Sequence, residues 1–275
     1  MKIKIYVNEP LHYTLAKYYD ELKQVKAKIE KLKELIKQKE EEVKKLEIEQ
    51  RENKELLYRL LKAEQRKWYK KFGWSFTARG TLVLIGRDAS SNEVLVKKYV
   101  QPEHYVFHAD IVGAGFVVLR TETPTEEELR EAAVLAACFS KAWKACIYSL
   151  DVYCVRGHQL SKTAPAGTYL KKGAFMVYGE RTYFKNVRLE LCLGINFEEP
   201  TLFVGSETAC KKYCGVYWKL APGKAGSEQL LQELRQHLQL SKETLLKLLQ
   251  KYLPGTNLQV LERAEGENQP LPSDD

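Results

Sequence analysis

The chain has 275 residues, of which 44% are hydrophobic, 11% aromatic and 29% charged. This composition excludes a wholly disordered chain and is sufficient for a hydrophobic core in one or two domains. No apolar run approaches the ~20 residues of a membrane span, and the N-terminus lacks a secretory signal pattern. The formal net charge is +8, so we expect a soluble, cytoplasmic, basic protein without membrane contact.

The positive charge is concentrated at the N-terminal end of the chain. Residues 1–72 hold 20 Lys and Arg against 13 Asp and Glu, a net charge of +7. Residues 73–261 carry about +5, and the last fourteen residues hold five acids and one Arg. A block of charge of this kind is usually a solvated helix face and only sometimes a nucleic-acid patch.

Residues 11–72 contain neither Gly nor Pro, and apolar residues recur along them at alternating spacings of four and three. This heptad pattern indicates a coiled coil, whose seam must be buried against a partner helix. Either one continuous helix dimerises, or a helical hairpin with its tip within residues 37–53 buries the seam internally. The seam residues are Leu11, Leu15, Tyr18, Leu22, Val25, Ile29, Leu32, Ile36, Val43 and Leu46.

From Trp74 onward the pattern changes to short apolar runs separated by turn-rich stretches. Runs bounded by Gly, Asn and Ser indicate strands. The predicted strands cover residues 82–85, 94–96, 105–107, 116–119, 146–148, 175–178, 188–193 and 216–220.

Helices are predicted between and after these strands. Thr125 and Glu128 form a capping box at the start of one helix, which carries an apolar stripe. Two further helices are predicted over residues 227–238 and 241–252, the second capped by Ser241.

The predicted class is therefore α+β, in three parts. A coiled-coil arm covers residues 1–72, and a mixed α/β domain with C-terminal helices covers residues 73–261. The acidic end, residues 262–275, is predicted to be a flexible tail.

Cysteine spacing gives little support for a metal site. Cys210 and Cys214 lie four residues apart, as helix-face ligands would. Zinc sites usually add a second pair of Cys or His residues, and the sequence shows none. Buried thiols or a disulfide are the preferred interpretation, so we predict no metal and no cofactor.

Candidate catalytic patterns are equally weak. Residues 157–163 end like a phosphate loop, but Ser161 stands where that motif requires Gly. His108 and Asp110 are spaced as an acid–base pair could be, although a structural His–Asp hydrogen bond is the simpler interpretation. We therefore predict no catalytic residue and a protein that is not an enzyme.

Basic residues cluster around the predicted turns, with Tyr99, Tyr169 and Tyr183 nearby in the sequence. Lys and Arg neutralise phosphates, and aromatic rings stack on unpaired bases. Solvated surface is the simpler explanation for any one of them, but together with the charge they indicate contact with RNA or the ribosome. The predicted RNA-binding residues are Arg87, Lys97, Lys98, His158, Lys162, Lys171 and Lys172.

Two blocks of the chain resemble the signature of the NFACT-R domain. The first extends from Trp68 to Asp110 and contains GRDASSNEVLVKKYV at 86–100, and the second is SKTAPAGTYLKKGAFMVYG at 161–179. The chain thus resembles the C-terminal part of the NFACT family of ribosome quality control factors, over about residues 13–253. Its closing helices resemble those of archaeal members more than those of animal members.

This resemblance implies a function that the residues alone do not show. Family members bind the large ribosomal subunit carrying stalled peptidyl-tRNA, and they recruit tRNA so that the nascent chain gains a C-terminal tail. Peptide transfer occurs at the ribosome, so no catalytic residue is implied. The implied partners are large-subunit rRNA and tRNA, and the implied form of the coiled coil is a helical hairpin.

One part of the family pattern is missing from the sequence. The NFACT-N domain, which selects tRNA in the family, has no counterpart here. We therefore expect either a fragment or a split family member that works with a separate NFACT-N region, and we do not expect tailing by this chain alone. The alternative function is a protein-interaction scaffold that dimerises through the heptad seam, so the oligomeric state stays open.

Overall fold

The chain divides into two compact units at the boundary between Leu56 and Leu57. The computed structural model describes residues 10–65, 67–163, 169–224, 226–238 and 240–273, with the backbone alone for residues 46–65. The N-terminal unit is helical, and the C-terminal unit contains every strand that the structure describes.

Helix α1 covers Leu11–Gln65 and begins directly after Pro10. It is continuous through residues 37–53, where the sequence pattern places the tip of a hairpin, so the hairpin that the resemblance implies is wrong. The physical reason is that this stretch has no Gly or Pro and is rich in Lys and Glu, which favour helix. The described seam side chains, from Leu11 to Val43, are 37–64% exposed.

The second unit is built from short strands and short helices. Its strands are β1 (Gly73–Phe76), β2 (Leu82–Ile85), β3 (Tyr105–Ala109), β4 (Val117–Leu119), β5 (Ser149–Arg156), β6 (Leu160–Ser161), β7 (Met176–Val177), β8 (Thr182–Arg188), β9 (Leu191–Asn196), β10 (Thr201–Gly205), β11 (Val216–Pro222) and β12 (Leu258–Glu265). Its helices are α2 (Ala89–Tyr99), α3 (Glu126–Cys138), α4 (Lys141–Lys144), α5 (Glu207–Tyr213), α6 (Ser227–Leu238) and α7 (Lys242–Tyr252).

An antiparallel sheet with the order β1-β2-β4-β3-β5-β8 forms the first layer. Helix α3 packs against β3, β5 and β8. One face of these strands carries the buried Phe107 and the half-buried Phe184, whose ring centroids are 5.9 Å apart. Because side chains alternate along a strand, the neighbouring residues His108 and Tyr183 lie on the opposite face. Residues of this second face line the candidate site described below.

A second antiparallel sheet has the order β10-β9-β11-β12 and is covered by α5, α6 and α7. It meets the first sheet where β10 approaches β1, and there the rings of Trp74 and Phe203 are 5.9 Å apart. Both rings are buried, so the two sheets share one hydrophobic core. A short pair, β6 with β7, stands apart from these sheets.

The predicted α+β class is confirmed, and so are the three predicted helices. Thr125 accepts a hydrogen bond from the Glu128 amide at the start of α3, as the capping box predicts. Helix α6 covers the predicted residues, and Ser241 caps α7 by accepting from the Thr244 amide.

Two strand predictions are wrong for local reasons. Residues 94–96 lie in α2, because Asp88 caps that helix by accepting a hydrogen bond from the Ser91 amide. Residues 146–148 precede a strand rather than forming one, since Cys146 adopts a left-handed φ of 54°. The strand begins three residues later, at Ser149.

The C-terminal end is part of the second sheet, so the predicted flexible tail is wrong for its described residues. Strand β12 pairs with β11 along its length. The amides of the next four residues, 266–269, then donate to carbonyl groups of residues 211–215. Leu271 is buried. The acidic residues of this segment reflect its position on a sheet edge, where charged side chains are common.

The structure shows the state of the cysteines and allows a search for metal ligands and for membrane-spanning helices among the described residues. All six thiols are free, and Cys210 and Cys214 are buried. Burial raises the pKa of the Cys210 thiol well above its usual value. In the described ranges, no three His, Cys, Asp or Glu side chains gather as metal ligands would. None of the described helices is long and apolar enough to cross a membrane.

Candidate nucleic-acid interface

A concave site lies where the start of α2, the loop after β3 and the turn before β7 meet. Its volume is about 420 Å³. Three of the predicted RNA-binding residues, Arg87, Lys171 and Lys172, line it. Asp88 is the carboxylate among its lining residues, so cations are in excess there. We refer to this site as the basic cavity.

The loop wall of the basic cavity is held by close backbone contact. Gly86 donates to the Phe116 carbonyl at 2.8 Å, and the Asn92 side chain accepts from the Phe116 amide at 3.2 Å. Gly115 lies so near this point that a Cβ on it would be 2.1 Å from the Gly86 carbonyl oxygen. Glycine at 115 is therefore required for this approach.

The turn that carries Lys171 and Lys172 is fixed by Glu93 of α2. The Glu93 carboxylate accepts from Lys162 Nζ at 2.9 Å and from the Gly173 amide at 2.8 Å, and Lys97 Nζ lies 2.6 Å away. The Lys162 hydrogen bond is the main reason that the pKa of Glu93 falls to about 2. A negatively charged Glu93 thus holds the turn across the start of α2.

Lys162 does not have the environment of a phosphate contact. Its ammonium donates to Glu93 and also to the carbonyl groups of Lys171 and Ala174, each at 3.1 Å. It lies 4.9 Å from the ring centroid of Phe175. A lysine ammonium has three donors, and these three acceptors use all of them. Lys162 therefore positions the turn rather than reaching for a ligand.

The structure brings together some of the predicted residues and separates others. Arg87, Lys171 and Lys172 share the basic cavity, with Lys162 behind the turn. Lys97 does not line the cavity, but it forms an ion pair with Glu93, which holds the cavity turn. Lys98 is exposed at the end of α2 and does not line the cavity either.

His158 also lies outside the basic cavity. It is in the 3-10 turn Gly157–Gln159, where its Nδ1 is 3.1 Å from the Pro102 carbonyl oxygen. Its backbone amide donates to the same carbonyl group. These contacts fix His158 against the loop before β3.

Aromatic rings also line the basic cavity, and the sequence alone does not mark Tyr153, Phe116 or Phe175 as site residues. They form a file of rings in mutual contact, which we call the aromatic row: Tyr183, Tyr153, His108, Phe116 and Phe175. All but Tyr183 line the cavity. The sequence places a Tyr at 183 near basic residues, but only the strand register shows which rings align with it.

His108 and Asp110 do not form the predicted acid–base or structural pair. The His108 ring packs beside Phe116, with centroids 5.1 Å apart, and beside Tyr153 at 5.6 Å. No hydrogen-bond partner of its Nδ1 is found in the part of the chain that the structure describes. Burial lowers the pKa of His108, so its ring is neutral at pH 7.

A second basic cleft adjoins the first. It has a volume of about 320 Å³ and is lined by Arg87, Lys141, Lys144 and Lys251. Arg87 lines both sites, and so does the loop at Gly113. The positive charge of the cavity therefore continues past Arg87 toward α4 and the end of α7.

Residues 71–179 match the family model described as "NFACT protein RNA binding domain". This range contains every residue that lines the basic cavity. Of the aromatic row, only Tyr183 lies outside it.

Several curated proteins are similar to the same part of the chain. The "Archaeal Rqc2 homolog aRqcH" of Methanocaldococcus jannaschii is 46% identical over 134 residues, which cover 48% of this chain and 20% of that protein. The "Ribosome quality control complex subunit NEMF" of Homo sapiens is 33% identical over 172 residues, which cover 61% of this chain and 16% of that protein. The matched part therefore spans a fifth or less of each relative.

A solved structure is also similar to part of the chain. It is the C-terminal part of the fibronectin/fibrinogen-binding protein from Streptococcus suis, with 25% identity and a TM-score of 0.37. The likeness covers 42% of this chain and 46% of that one.

Proposed function

We propose that this chain is the RNA-binding module of a ribosome quality control factor of the NFACT family, because residues 71–179 match the RNA binding domain of that family and an archaeal relative is 46% identical over 134 residues. The observation that carries the proposal is the basic cavity, where Arg87, Lys171 and Lys172 converge within the matched domain. These cations would bind backbone phosphates, the contacts that dominate affinity for nucleic acids.

The arrangement is suited to binding because its cations are held in place before a ligand arrives. Glu93 and Lys162 fix the turn of Lys171 and Lys172 without occupying its exposed ammonium groups. A site ordered in advance loses less conformational entropy when it binds. The chain's contribution to its proposed function is therefore recognition.

The names of the similar proteins suggest the setting for this binding. We propose that the module engages the large ribosomal subunit carrying stalled peptidyl-tRNA, in the cytoplasm. There it would support tRNA recruitment and C-terminal tailing of the nascent chain, together with an NFACT-N region that selects the tRNA. Its direct partners would be rRNA and tRNA.

The test is a charge reversal in the basic cavity. Lys171→Glu with Lys172→Glu is compared with Lys211→Glu and Lys247→Glu, which change the same charge at exposed positions outside the matched domain. Binding to labelled tRNA and to purified large subunits is measured between 50 and 200 mM salt.

The wild-type chain should bind more weakly as salt rises, with log K falling by roughly 0.7–0.9 per neutralised phosphate. The cavity variant should lose affinity and lower that salt slope by about 1.5, whereas the control should keep the wild-type slope. Salt-independent binding, or an unchanged slope in the cavity variant, would contradict the proposal.

A second candidate function is a scaffold that dimerises through α1. It is favoured by the seam from Leu11 to Val43, whose apolar side chains are 37–64% exposed. A heptad seam of this kind fits a second copy of the same helix. Sedimentation at increasing concentration should show a dimer that Leu22→Glu with Ile29→Glu abolishes and Lys23→Glu with Lys28→Glu keeps. A wild-type chain that is monomeric at every concentration would exclude this function.

A further inference from the structure

We infer that the aromatic row is a base-stacking platform, so that the RNA bound at the basic cavity is single-stranded. This inference rests on the proposed RNA-binding function and names its ligand class. It goes beyond the cation contacts, because it assigns a role to the sheet face on which Tyr183, Tyr153 and His108 lie.

The row follows the register of three adjacent strands. His108 of β3 is directly opposite Tyr153 of β5, and Tyr153 is directly opposite Tyr183 of β8. The ring centroids are 5.6 Å apart in the first pair and 5.9 Å apart in the second. Residues paired in this way share one face of the sheet. The row therefore extends from the edge strand β8 inward to the basic cavity.

The outer end of the row is open to a ligand. Tyr183 is 41% exposed, while Tyr153 is 8% exposed and lines the basic cavity with His108. One ring thus offers a free surface at the sheet edge, and the cavity offers space at the inner end. A flat, exposed ring is the surface on which unpaired bases stack in single-strand binders.

Two cationic side chains lie beside the aromatic row on the same face of the sheet. The Arg181 guanidinium lies 4.7 Å from the Tyr153 ring centroid, and Lys185 Nζ lies 4.6 Å from that of Tyr183. Both side chains are exposed. Bases on Tyr183 would place their phosphates beside these cations, and the strand would continue toward Lys171 and Lys172. Lys185 Nζ also lies 2.8 Å from a carboxylate oxygen of Asp151, so a phosphate would compete with Asp151 for this cation.

A purely structural role explains only part of this arrangement. Cross-strand aromatic pairs stabilise sheets, and charges such as Lys185 protect an edge strand from pairing with other chains. Neither effect explains why the row opens into a cavity, or why His108 Nδ1 has no hydrogen-bond partner there among the described residues.

Duplex RNA could not use such a platform. The base faces of a duplex are covered by stacking, so proteins recognise it through its shape, its phosphates and its 2′-hydroxyls. Stacking on Tyr183 requires a base that is free on at least one face. The row therefore predicts a preference for single strands, loops or unpaired ends.

The experiment measures fluorescence anisotropy of a labelled single-stranded 12-mer and of the same strand in a duplex. Tyr183→Ala removes the exposed ring, and Tyr183→Phe keeps it. Tyr148→Ala is the matched control, because Tyr148 is 60% exposed and outside the row. Thermal unfolding of each variant confirms that it is folded.

Tyr183→Ala should weaken single-strand binding by about fivefold to a hundredfold, the usual range for loss of one stacked base. Tyr183→Phe and Tyr148→Ala should stay within about twofold of wild type, since one keeps the ring and the other is elsewhere. Duplex binding should be weaker than single-strand binding and insensitive to Tyr183→Ala.

The outcomes separate this inference from the proposed function. If the variant with Lys171→Glu and Lys172→Glu binds both RNAs weakly while Tyr183→Ala binds the single strand normally, the platform is overturned and the RNA-binding module remains. Equal wild-type affinity for single strand and duplex also overturns the platform. If neither variant changes binding to either RNA, the proposed function itself fails.

Discussion

Glu93 is the residue that links α2 to the turn carrying the cavity lysines. It receives two ammonium groups and one backbone amide, and its partner Lys162 lies 69 residues away in the sequence. A carboxylate with several charge-assisted hydrogen bonds is held in one position. The position of Lys171 and Lys172 therefore depends on a residue that never has to touch RNA.

Replacement of this carboxylate should loosen the turn. In Glu93→Gln the neutral amide cannot pair with Lys97 and Lys162 at once, so the Gly173 amide loses its fixed acceptor. We expect faster hydrogen exchange at residues 169–175 and weaker tRNA binding, with α2 still protected. Hydrogen exchange read by mass spectrometry measures this, and Glu127→Gln, at an exposed position of α3, is the control. Unchanged exchange at Gly173 would show that Glu93 does not hold the turn.

The same carboxylate should make the turn sensitive to acid. The pKa of Glu93 is lowered from 4.5 to about 2, chiefly by the Lys162 hydrogen bond. Because the folded state favours the charged form, the stabilisation is fully present above pH 4.5 and is lost as pH falls toward 2. The carboxyl carbon chemical shift of Glu93 should titrate with a midpoint near 2. A midpoint at the ordinary value would contradict the contacts to Lys162 and Gly173.

At the scale of elements, a buried carboxylate of α3 joins this helix to α5 and to the turn after β1. Glu131 accepts from the Thr208 hydroxyl at 2.5 Å and from the Ala78 amide at 3.0 Å. Burial raises the pKa of Glu131, so its charged form is less favourable in the folded protein. Its hydrogen bonds nevertheless join α3 to the start of α5 and to the turn after β1.

Glu131→Ala should therefore destabilise the second unit. It would leave the Ala78 amide and the Thr208 hydroxyl without their acceptor, at a cost of about 1–3 kcal/mol in the free energy of unfolding. Urea denaturation followed by circular dichroism measures this. Glu127→Ala, one turn away and exposed, should change the free energy by less than about 0.5 kcal/mol. Equal effects of the two substitutions would contradict a structural role for Glu131.

The elements that could be predicted from sequence are those defined by nearby residues. The caps at Thr125 and Ser241 act over three residues, and both predicted helices form. The apolar run at 94–96 was ambiguous, because its helix depends on the Asp88 cap outside the run. Strand β12 could not be predicted, because its acidic residues give no local strand pattern and only the pairing with β11 identifies it. Pairings between distant residues leave no local pattern.

The candidate site follows the same rule at the level of residues. Charge and turn position predict Arg87, Lys171 and Lys172 as RNA contacts, and the structure places all three in the lining of one cavity. Lys162 has the same sequence context, but its contact with Glu93 is visible only in the fold. Tyr153 gave no signal as a site residue, because its role depends on the register between β3 and β5.

At the scale of the whole molecule, the segment of the sequence with the largest net charge and the basic cavity are formed by different residues. Residues 1–72 hold most of the excess, +7 of the formal +8. The cations that the fold gathers in one concave site all come from residues 87–172. A large net charge attracts RNA at long range, while a fixed group of cations positions it. The two parts can therefore contribute separately to association rate and to bound geometry.

The last described residues of the chain pack against both sheets of the second unit, so their contribution to its stability can be tested. Asn268 accepts from the Phe197 amide at 2.9 Å, and the Gln269 carbonyl accepts from Asn196 at 2.8 Å. Leu271 is 5% exposed, and Pro272 lies beside Gly80, in the turn between β1 and β2. The C-terminal segment thus connects the second sheet to the first.

Leu271→Ala should lower the free energy of unfolding by ~2 kcal/mol or more, because it leaves a cavity where a buried leucine packs. Leu261→Ala is the matched control, since Leu261 is 48% exposed on β12 and makes the same chemical change at the surface. We expect its effect to stay below about 1 kcal/mol. Both are measured by urea unfolding followed by the fluorescence of the four tryptophans, of which Trp74 lies in the first sheet and Trp218 in the second. If the segment were a frayed tail, Leu271→Ala would be no more destabilising than Leu261→Ala. A larger loss for Leu271→Ala, with one transition for both sheets, would show that the C-terminal segment belongs to the cooperative core.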